Sequence, residues 1–420
     1  MNTSISLCDC STVSYSMKEN KMRALSYIKE NGISRTFNIF YHYKLDLFLQ
    51  KIILFFVKNK PLKNIIIIES HNDFDSNGGA LYKYLLDNEY TKKYKIIWLL
   101  KNKIERELPN NVIAFSLFHP SIKKNYYICI AKYFTADSTV VKKVRENQKS
   151  FYFTHGSVSL KNVSGKIIIP DTVDYILTPS EFYEPIQTRQ YSRKYPDKHF
   201  VCLGYPCQDI LFQPSTNEIK KITKKKYSKK ILWMPTFRKG GGYNRNDSTK
   251  IQPMGIPIIE GHEELLMLND WLIEKNMLLI IKIHPMQLKE TIKIYSLSNI
   301  KVLTGTDVKK LDIDNFRLMK DMDALISDYS SASYDFLMLN RPIGYDFSDL
   351  ESYVIGLSVE NVDDFIAGPK IQNLEQFKIF LKSVSEQEDT YRYDRQELRK
   401  KLYRYADNEN CKRIVEFMGL

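Results

Sequence analysis

Two series of short apolar runs, each followed by a helical stretch, predict an α/β protein of two doubly wound parallel-sheet domains. The first series begins at residue 63 with NIIIIES, YKIIWLL, NVIAF, YFTAD, SFYFTHG, DYILTPS and HFVCLGYP. The second is KILWMPT, LLIIKIHP, IKVLTG, DALISDYSS and PIGYDF. Continuous apolar runs of strand length, alternating with helices, are the pattern of a parallel sheet covered on both faces. The third observation concerns the residues at the carboxyl ends of the runs. His155, Ser180, Gly204, Thr236, His284 and Ser330 all fall just past strand ends. Open α/β sheets bind ligands beyond those ends, so both domains are expected to face one cleft. A length of 420 residues and a hydrophobic fraction of 43% suit two domains with real cores.

The chain opens with a Ser-rich polar stretch, residues 1–20, expected to be poorly ordered. Residues 37–57 then read as a helix. Asn38, His42, Asp46 and Gln50 recur every four residues as a polar stripe on a largely apolar rod. Lys44, Asp46 and Lys51 interrupt the run and make it a poor spanning helix. Between Lys18 and Lys60 there are nine Lys or Arg against three Asp or Glu. Such a helix either lies in an anionic membrane interface or packs on the first domain.

The formal net charge of +13 favours a polyanionic partner, an anionic surface or a phosphorylated substrate, without choosing among them. Seven lysines crowd residues 218–230, which read as a solvated helix face. No aromatic interleaving or recognition module supports nucleic-acid binding. The six cysteines are scattered without paired CxxC spacing, which argues against structural zinc and for free thiols in a reducing setting. The first residues lack the basic-then-apolar pattern of a secretory signal.

Two segments carry the chemistry. DALISDYSS (residues 323–331) runs a buried strand into Asp328 and the hydroxyls of Ser330 and Ser331, with a helix after them. Hydroxyls and free N–H groups at such a turn suit an anion, although a serine there also simply caps a helix. Lys282-x-His284-Pro285 places a cation and an imidazole at another strand end. In the first domain, THGSVSLK sets His155 on a Gly-containing turn, where a general base would stand at the cleft. MPTFRKGGG puts Thr236 and Arg238 after a strand, with Arg238 a candidate phosphate clamp and the glycines a mobile loop. Walker A, HExxH and GxSxG sequences are absent. Asp321-Met-Asp323 has DxD spacing, but Asp323 opens a buried strand, so no metal site is assigned.

The ordered motifs HGSVSLK (155–161), PSEF (179–182), GYPCQDIL (204–211), MPTFR (234–238), KIHP (282–285) and SDYSSASYDF (327–336) resemble the bacterial CDP-glycerol glycerophosphotransferases of teichoic acid and capsule synthesis. YDFSDLESY (345–353) and DNENCKRI (407–414) extend the resemblance over roughly residues 63–415. It implies a GT-B type fold: two Rossmann-like domains facing a cleft, behind an N-terminal helical extension. The corresponding divisions are residues 1–60, an acceptor-side domain over 61–205 and a CDP-donor domain over 206–420. The implied reaction moves a polyol phosphate from a CDP-polyol, glycerol first, to a hydroxyl of a polyol-phosphate or glycan acceptor, often lipid-linked, releasing CMP. It takes place on the cytoplasmic face of the cell membrane.

By this resemblance His155 draws the acceptor proton. Lys282, His284 and Arg238 neutralise the diphosphate, and Ser330, Ser331, Thr236 and Asp328 complete the phosphate site. Glu351, with Ser180 and Gly204, would suit ribose or polyol hydroxyls. No cofactor is needed if these groups carry the charge. Cys207 stands where the family has Arg, removing a candidate phosphate-facing cation, and Phe237 stands where it has Trp. The alternative is a GT-B glycosyltransferase that uses a nucleotide sugar. A basic, non-catalytic membrane or polyanion adaptor is the reading from a different class.

Overall fold

The computed structural model describes residues 33–104, 106–240 and 245–420, with side chains from Tyr41 onward except that of Arg245. The Ser-rich opening with Cys8 and Cys10 lies outside these residues, as do Gly241 and Gly242 of the glycine run.

The first sheet contains β1 (Lys63–Glu69), β2 (Lys95–Leu100), β3 (Val112–Ser116), β4 (Ala131–Ala136), β5 (Lys149–Tyr152), β6 (Tyr175–Leu177) and β7 (Phe200–Val201). Its order is β3-β2-β1-β4-β5-β6-β7, parallel throughout. The second half begins with β8 (Lys229–Met234) and a short antiparallel ribbon, β9 (Lys239–Gly240) with β10 (Arg245–Asn246). It continues through β11 (Met277–Lys282), β12 (Ile300–Leu303), β13 (Ala324–Ser327), β14 (Ile343–Asp346) and β15 (Lys370–Ile371). The second sheet runs β12-β11-β8-β13-β14-β15, also parallel. Counted within itself, each sheet follows the doubly wound order 3-2-1-4-5-6, and the first adds a seventh strand. Strand order reverses between β1 and β4, and between β8 and β13. These are the switch points where such sheets bind ligands.

Why the strands read as unbroken apolar runs is visible in β1. Ile66 and Ile68 join one core, with Trp98 and Tyr133, while Ile65 and Ile67 join another, with Ile97 and Phe134. Successive side chains point to opposite faces, and both faces are covered. Each fully buried Ile contributes about 1.5–3 kcal/mol.

The helix Ile33–Val57 packs on the helix Ile122–Ile130 with Asp46 and Gln50 inward. Asp46 pairs with buried Lys124 at 2.7 Å, and Gln50 donates to Asn125 at 2.9 Å. Its outward face carries Tyr41, Phe48, Ile52, Phe55 and Phe56, all exposed. No helix among the described residues is long and apolar enough to cross a membrane.

The division expected at 205/206 is crossed from both sides. Helix Asn410–Met418 returns to bury Ile414, Val415 and Met418 in the first domain's core. Val158 and Leu160 pack into the second domain's core. Asp209 holds the returning helix by accepting the N–H groups of Asn410 and Cys411, at 2.9 and 2.8 Å. At Gly204, with φ +79°, a Cβ would lie 1.9 Å from the Asn410 side-chain oxygen, so only glycine fits.

Candidate active site

After β5 the chain turns sharply at Thr154, which has φ +60°. A β-branched residue in this region is strained, and strain of this kind is held only by its surroundings. Here the Thr154 hydroxyl donates to the Gly156 carbonyl at 2.7 Å, and the Asn77 amide donates to the Thr154 carbonyl at 2.8 Å. The turn sets His155 at the mouth of the cleft with an accessible ring that protein nevertheless surrounds. This crowding, then the neighbouring His71, Lys101 and Lys161, pushes its pKa down to about 3. His155 is therefore a neutral imidazole at pH 7, and it makes no hydrogen bond among the described residues. That leaves a ring nitrogen able to accept a proton.

Gly156 packs directly on Ser331 from the second domain, and Ser157 donates to Asp335 at 3.0 Å. Gln208 donates to the same carboxylate at 2.9 Å. Farther along, Lys161 pairs with Leu357 as an antiparallel bridge between the domains. The loop that carries His155 is thus clamped to the second domain along its length.

From β11 come Lys282 and His284. Lys282 is buried and has neither a hydrogen bond nor an ion pair among the described residues, and burial alone lowers it to about 8. A buried ammonium without a counter-charge is unfavourable unless something anionic arrives. His284 Nδ1 accepts the Met286 N–H at 3.1 Å, so the neutral ring carries its proton on Nε2 and can donate there. Burial, followed by Lys161, Lys282, His71 and His155, holds His284 well below the usual histidine range. Phe237, in place of the family's Trp, lies against its ring with centroids 5.0 Å apart. His155, His284, Lys161 and Lys282 therefore surround one cleft between the domains.

Ser330 and Ser331 sit half-buried after β13, with Ser331 opening the helix Ala332–Leu337. The Ser331 side chain makes no capping bond, while the Ser330 hydroxyl accepts the Ala332 N–H at 3.3 Å.

Other expected phosphate ligands turn inward. Arg238 is buried and forked onto Asp349 by two bonds, at 2.6 and 2.9 Å, and it reaches Asp328 at 2.8 Å. Asp328 also accepts the N–H and hydroxyl of Thr236, at 2.9 and 2.6 Å. The four residues form a brace that ties the ends of β8, β13 and β14 together. The sequence shows a strand-end Arg but not the two aspartates that neutralise it, so the clamp expected at Arg238 is corrected to this brace. Ser180 is buried, donating to the Lys401 carbonyl at 3.2 Å and accepting the Tyr183 N–H at 3.2 Å. Gly204 packs against Asn410, as described. Glu351 is exposed on the short turn Leu350–Ser352. Cys207 lies in the first domain's core, so it does not stand at a phosphate position.

Asp321 accepts the Ile219 N–H at 3.0 Å, and Asp323 accepts the Lys230 N–H at 2.7 Å, so the DxD pair ties chain segments together. Among the described residues no cluster of three or more His, Cys, Asp or Glu could hold a metal. Two contributors escaped the sequence reading. Asn77 holds the strained turn, and His71 stacks on His155 with centroids 4.8 Å apart.

Two facing Rossmann-like domains, with histidines from both and an uncompensated lysine at the cleft, define a GT-B transferase acting on a phosphorylated donor. The comparisons with known proteins narrow this. Residues 51–419 match the family described as CDP-Glycerol:Poly(glycerophosphate) glycerophosphotransferase, and the chain belongs to that family. It is a CDP-glycerol-type glycerophosphotransferase, which moves a polyol phosphate from a CDP-polyol to a polymer acceptor. It is 27% identical over 317 residues to a teichoic acid poly(glycerol phosphate) polymerase of Bacillus spizizenii, covering 69% of this chain and 75% of that protein. It is 26% identical over 332 residues to a teichoic acid glycerol-phosphate primase of Bacillus subtilis, covering 73% and 79%. The solved wall teichoic acid polymerase TagF superposes with a TM-score of 0.70 at 17% identity, covering 96% of this chain and 98% of that one.

Proposed function

We propose that this enzyme transfers glycerol phosphate from CDP-glycerol to the terminal hydroxyl of a lipid-linked poly(glycerol phosphate)-type acceptor. The work is done on the cytoplasmic face of an anionic membrane. The observation that carries the reading is the convergence of neutral His155 from one domain with His284 and unpaired Lys282 from the other.

His155 takes the proton of the attacking hydroxyl. The hydroxyl oxygen bonds to the β-phosphorus, which bears the glycerol, and the bond from that phosphorus to the CMP oxygen breaks. CMP leaves with the electron pair. Lys282 and the His284 Nε2–H face the diphosphate and offset the charge that moves onto CMP. Ser330 and Ser331 offer hydroxyls to phosphate oxygens. Arg238, Asp328 and Thr236 hold the strand ends that position them. Glu351 is left as the candidate for ribose or glycerol hydroxyls. The proposal calls for no metal or cofactor.

The membrane part rests on the exposed Phe48, Ile52, Phe55 and Phe56, set among Lys44, Lys51 and Lys58, with exposed Ile122 and Lys123 alongside. An apolar face fringed by lysine suits an anionic lipid surface.

The test is CMP release from purified protein given a short glycerol-phosphate acceptor with CDP-glycerol, CDP-ribitol or UDP-sugars, with and without EDTA. CDP-glycerol should be turned over fastest, and EDTA should not slow it. Turnover of a UDP-sugar without turnover of either CDP-polyol would overturn the proposal.

A further inference from the structure

His71 stands just past β1, two residues after the buried Glu69, and its ring lies within 13° of parallel to that of His155. It belongs to no motif and has no role in the mechanism above. Its surroundings are nevertheless built. Lys101 Nζ donates to the carbonyls of Ser70 and His71, each at 2.8 Å, and to the Ser138 hydroxyl at 2.7 Å. The same amino group pairs with Glu69 at 2.6 Å. The strand end beneath the His71 ring is therefore fixed. His71 Nδ1, by contrast, is buried with no hydrogen-bond partner among the described residues. Leaving a polar atom buried and unpaired costs stability, and native structures rarely do so without a reason.

We infer that His71 is a positioning residue for the transfer: its ring face holds the His155 imidazole in the orientation in which it takes the acceptor proton. The inference rests on His155 being the base. In that step the acceptor O–H bond breaks, an N–H bond forms on His155, and the freed oxygen pair bonds to phosphorus. Offset-stacked rings restrict each other's rotation, so the His71 face limits how the His155 ring can turn. A correctly turned base matters to the proton transfer and not to donor binding, so the effect falls on kcat.

The arrangement works only while His71 is itself uncharged. Burial, then the Lys101 charge, holds it down at about 4. The charged and titratable groups facing His155 are His71, Lys101 and Glu69 from the ends of β1 and β2, Lys161 from its own loop, and His284 from the second domain. Of these, only His71 is stacked on its ring.

The test compares His71→Ala, His71→Phe and His71→Leu in the full chain by CMP release at saturating CDP-glycerol. Losing the ring face should lower kcat roughly tenfold in the Ala and Leu variants while donor KM stays near wild type. Phe, which keeps a flat π face, should restore most of the rate, and added imidazole should speed the Ala variant. If the Ala variant does not fold, Phe against Leu decides, because both fill the space and only one has a face. Equal kcat for Phe and Leu, or an effect confined to KM, overturns the inference. His155→Ala separates the two levels. If it stays active, the base assignment itself falls. If it is inactive while the His71 variants run at full rate, only the role of His71 falls.

Discussion

A methyl group at Gly156 would lie 2.9 Å from the Ser331 hydroxyl oxygen and 3.0 Å from its Cβ. The residue after the base is thus in van der Waals contact with the donor-side helix start, and this contact sets how close the two halves of the site come. Gly156→Ala should push them apart. Small misplacements of reacting groups cost up to about 10²-fold, so transfer should fall at least tenfold with the fold intact. Adding Ser331→Gly removes both clashing atoms, so the double variant should transfer as fast as Ser331→Gly alone. A double variant slower than Ser331→Gly would remove the steric explanation.

Changing His155 to Ala should lower transfer by about 10²–10⁴-fold at saturating donor, the usual contribution of a general base. Because its pKa lies near 3, His155 itself should impose no fall in rate between pH 7 and pH 5. Single-turnover CMP release on the folded variant measures the first point, and a pH series on wild type the second.

Donor affinity should decline as pH rises through about 8. Lys282 has its pKa lowered to about 8 in the free protein, so it is cationic below that pH and loses its charge above it. Lys282→Arg should bind CDP-glycerol equally at pH 7 and pH 9.5, and Lys282→Gln should bind weakly at both. Calorimetry across this range checks it. A flat affinity for wild type would place the diphosphate elsewhere.

Removal of Arg238 should damage stability more than donor binding. Arg238→Ala leaves Asp328 and Asp349 buried beside each other without their cation, a loss of about 3–5 kcal/mol. Denaturant unfolding reads this directly. An Arg238→Lys variant of near-native stability and sharply weaker CDP-glycerol binding would instead return Arg238 to the phosphate site.

The outward face of the N-terminal helix should decide vesicle binding. Phe55→Ser with Phe56→Ser should reduce sedimentation with phosphatidylglycerol vesicles and leave CMP release onto a short soluble acceptor nearly unchanged. Rising salt should release the wild type, since each lysine near the surface contributes only about 1 kcal/mol and is screened. Undiminished sedimentation of the variant would exclude this face.

The sequence by itself determined the strands and their ends. An apolar run of strand length needs no distant partner to be legible, and in a parallel sheet covered on both faces every position of the run is apolar. It therefore also determined that His155, His284, Lys282 and the serine pair stand at carboxyl ends. The tertiary structure alone decided which of them are available. Arg238 and Lys282 read alike as strand-end cations, yet Asp349 and Asp328, 111 and 90 residues from Arg238 in the chain, neutralise only Arg238. The polar stripe of the first long helix was legible, but not what it meets. Asp46 and Gln50 of that stripe face inward, because Lys124 and Asn125 on another helix supply their partners. His71 carried no motif, and its meaning comes wholly from the ring stacked on it, 84 residues away in the chain. Periodicity records which side chains leave water. It does not record which pairs meet, and pairing across the sheets decides which charges remain free for a substrate.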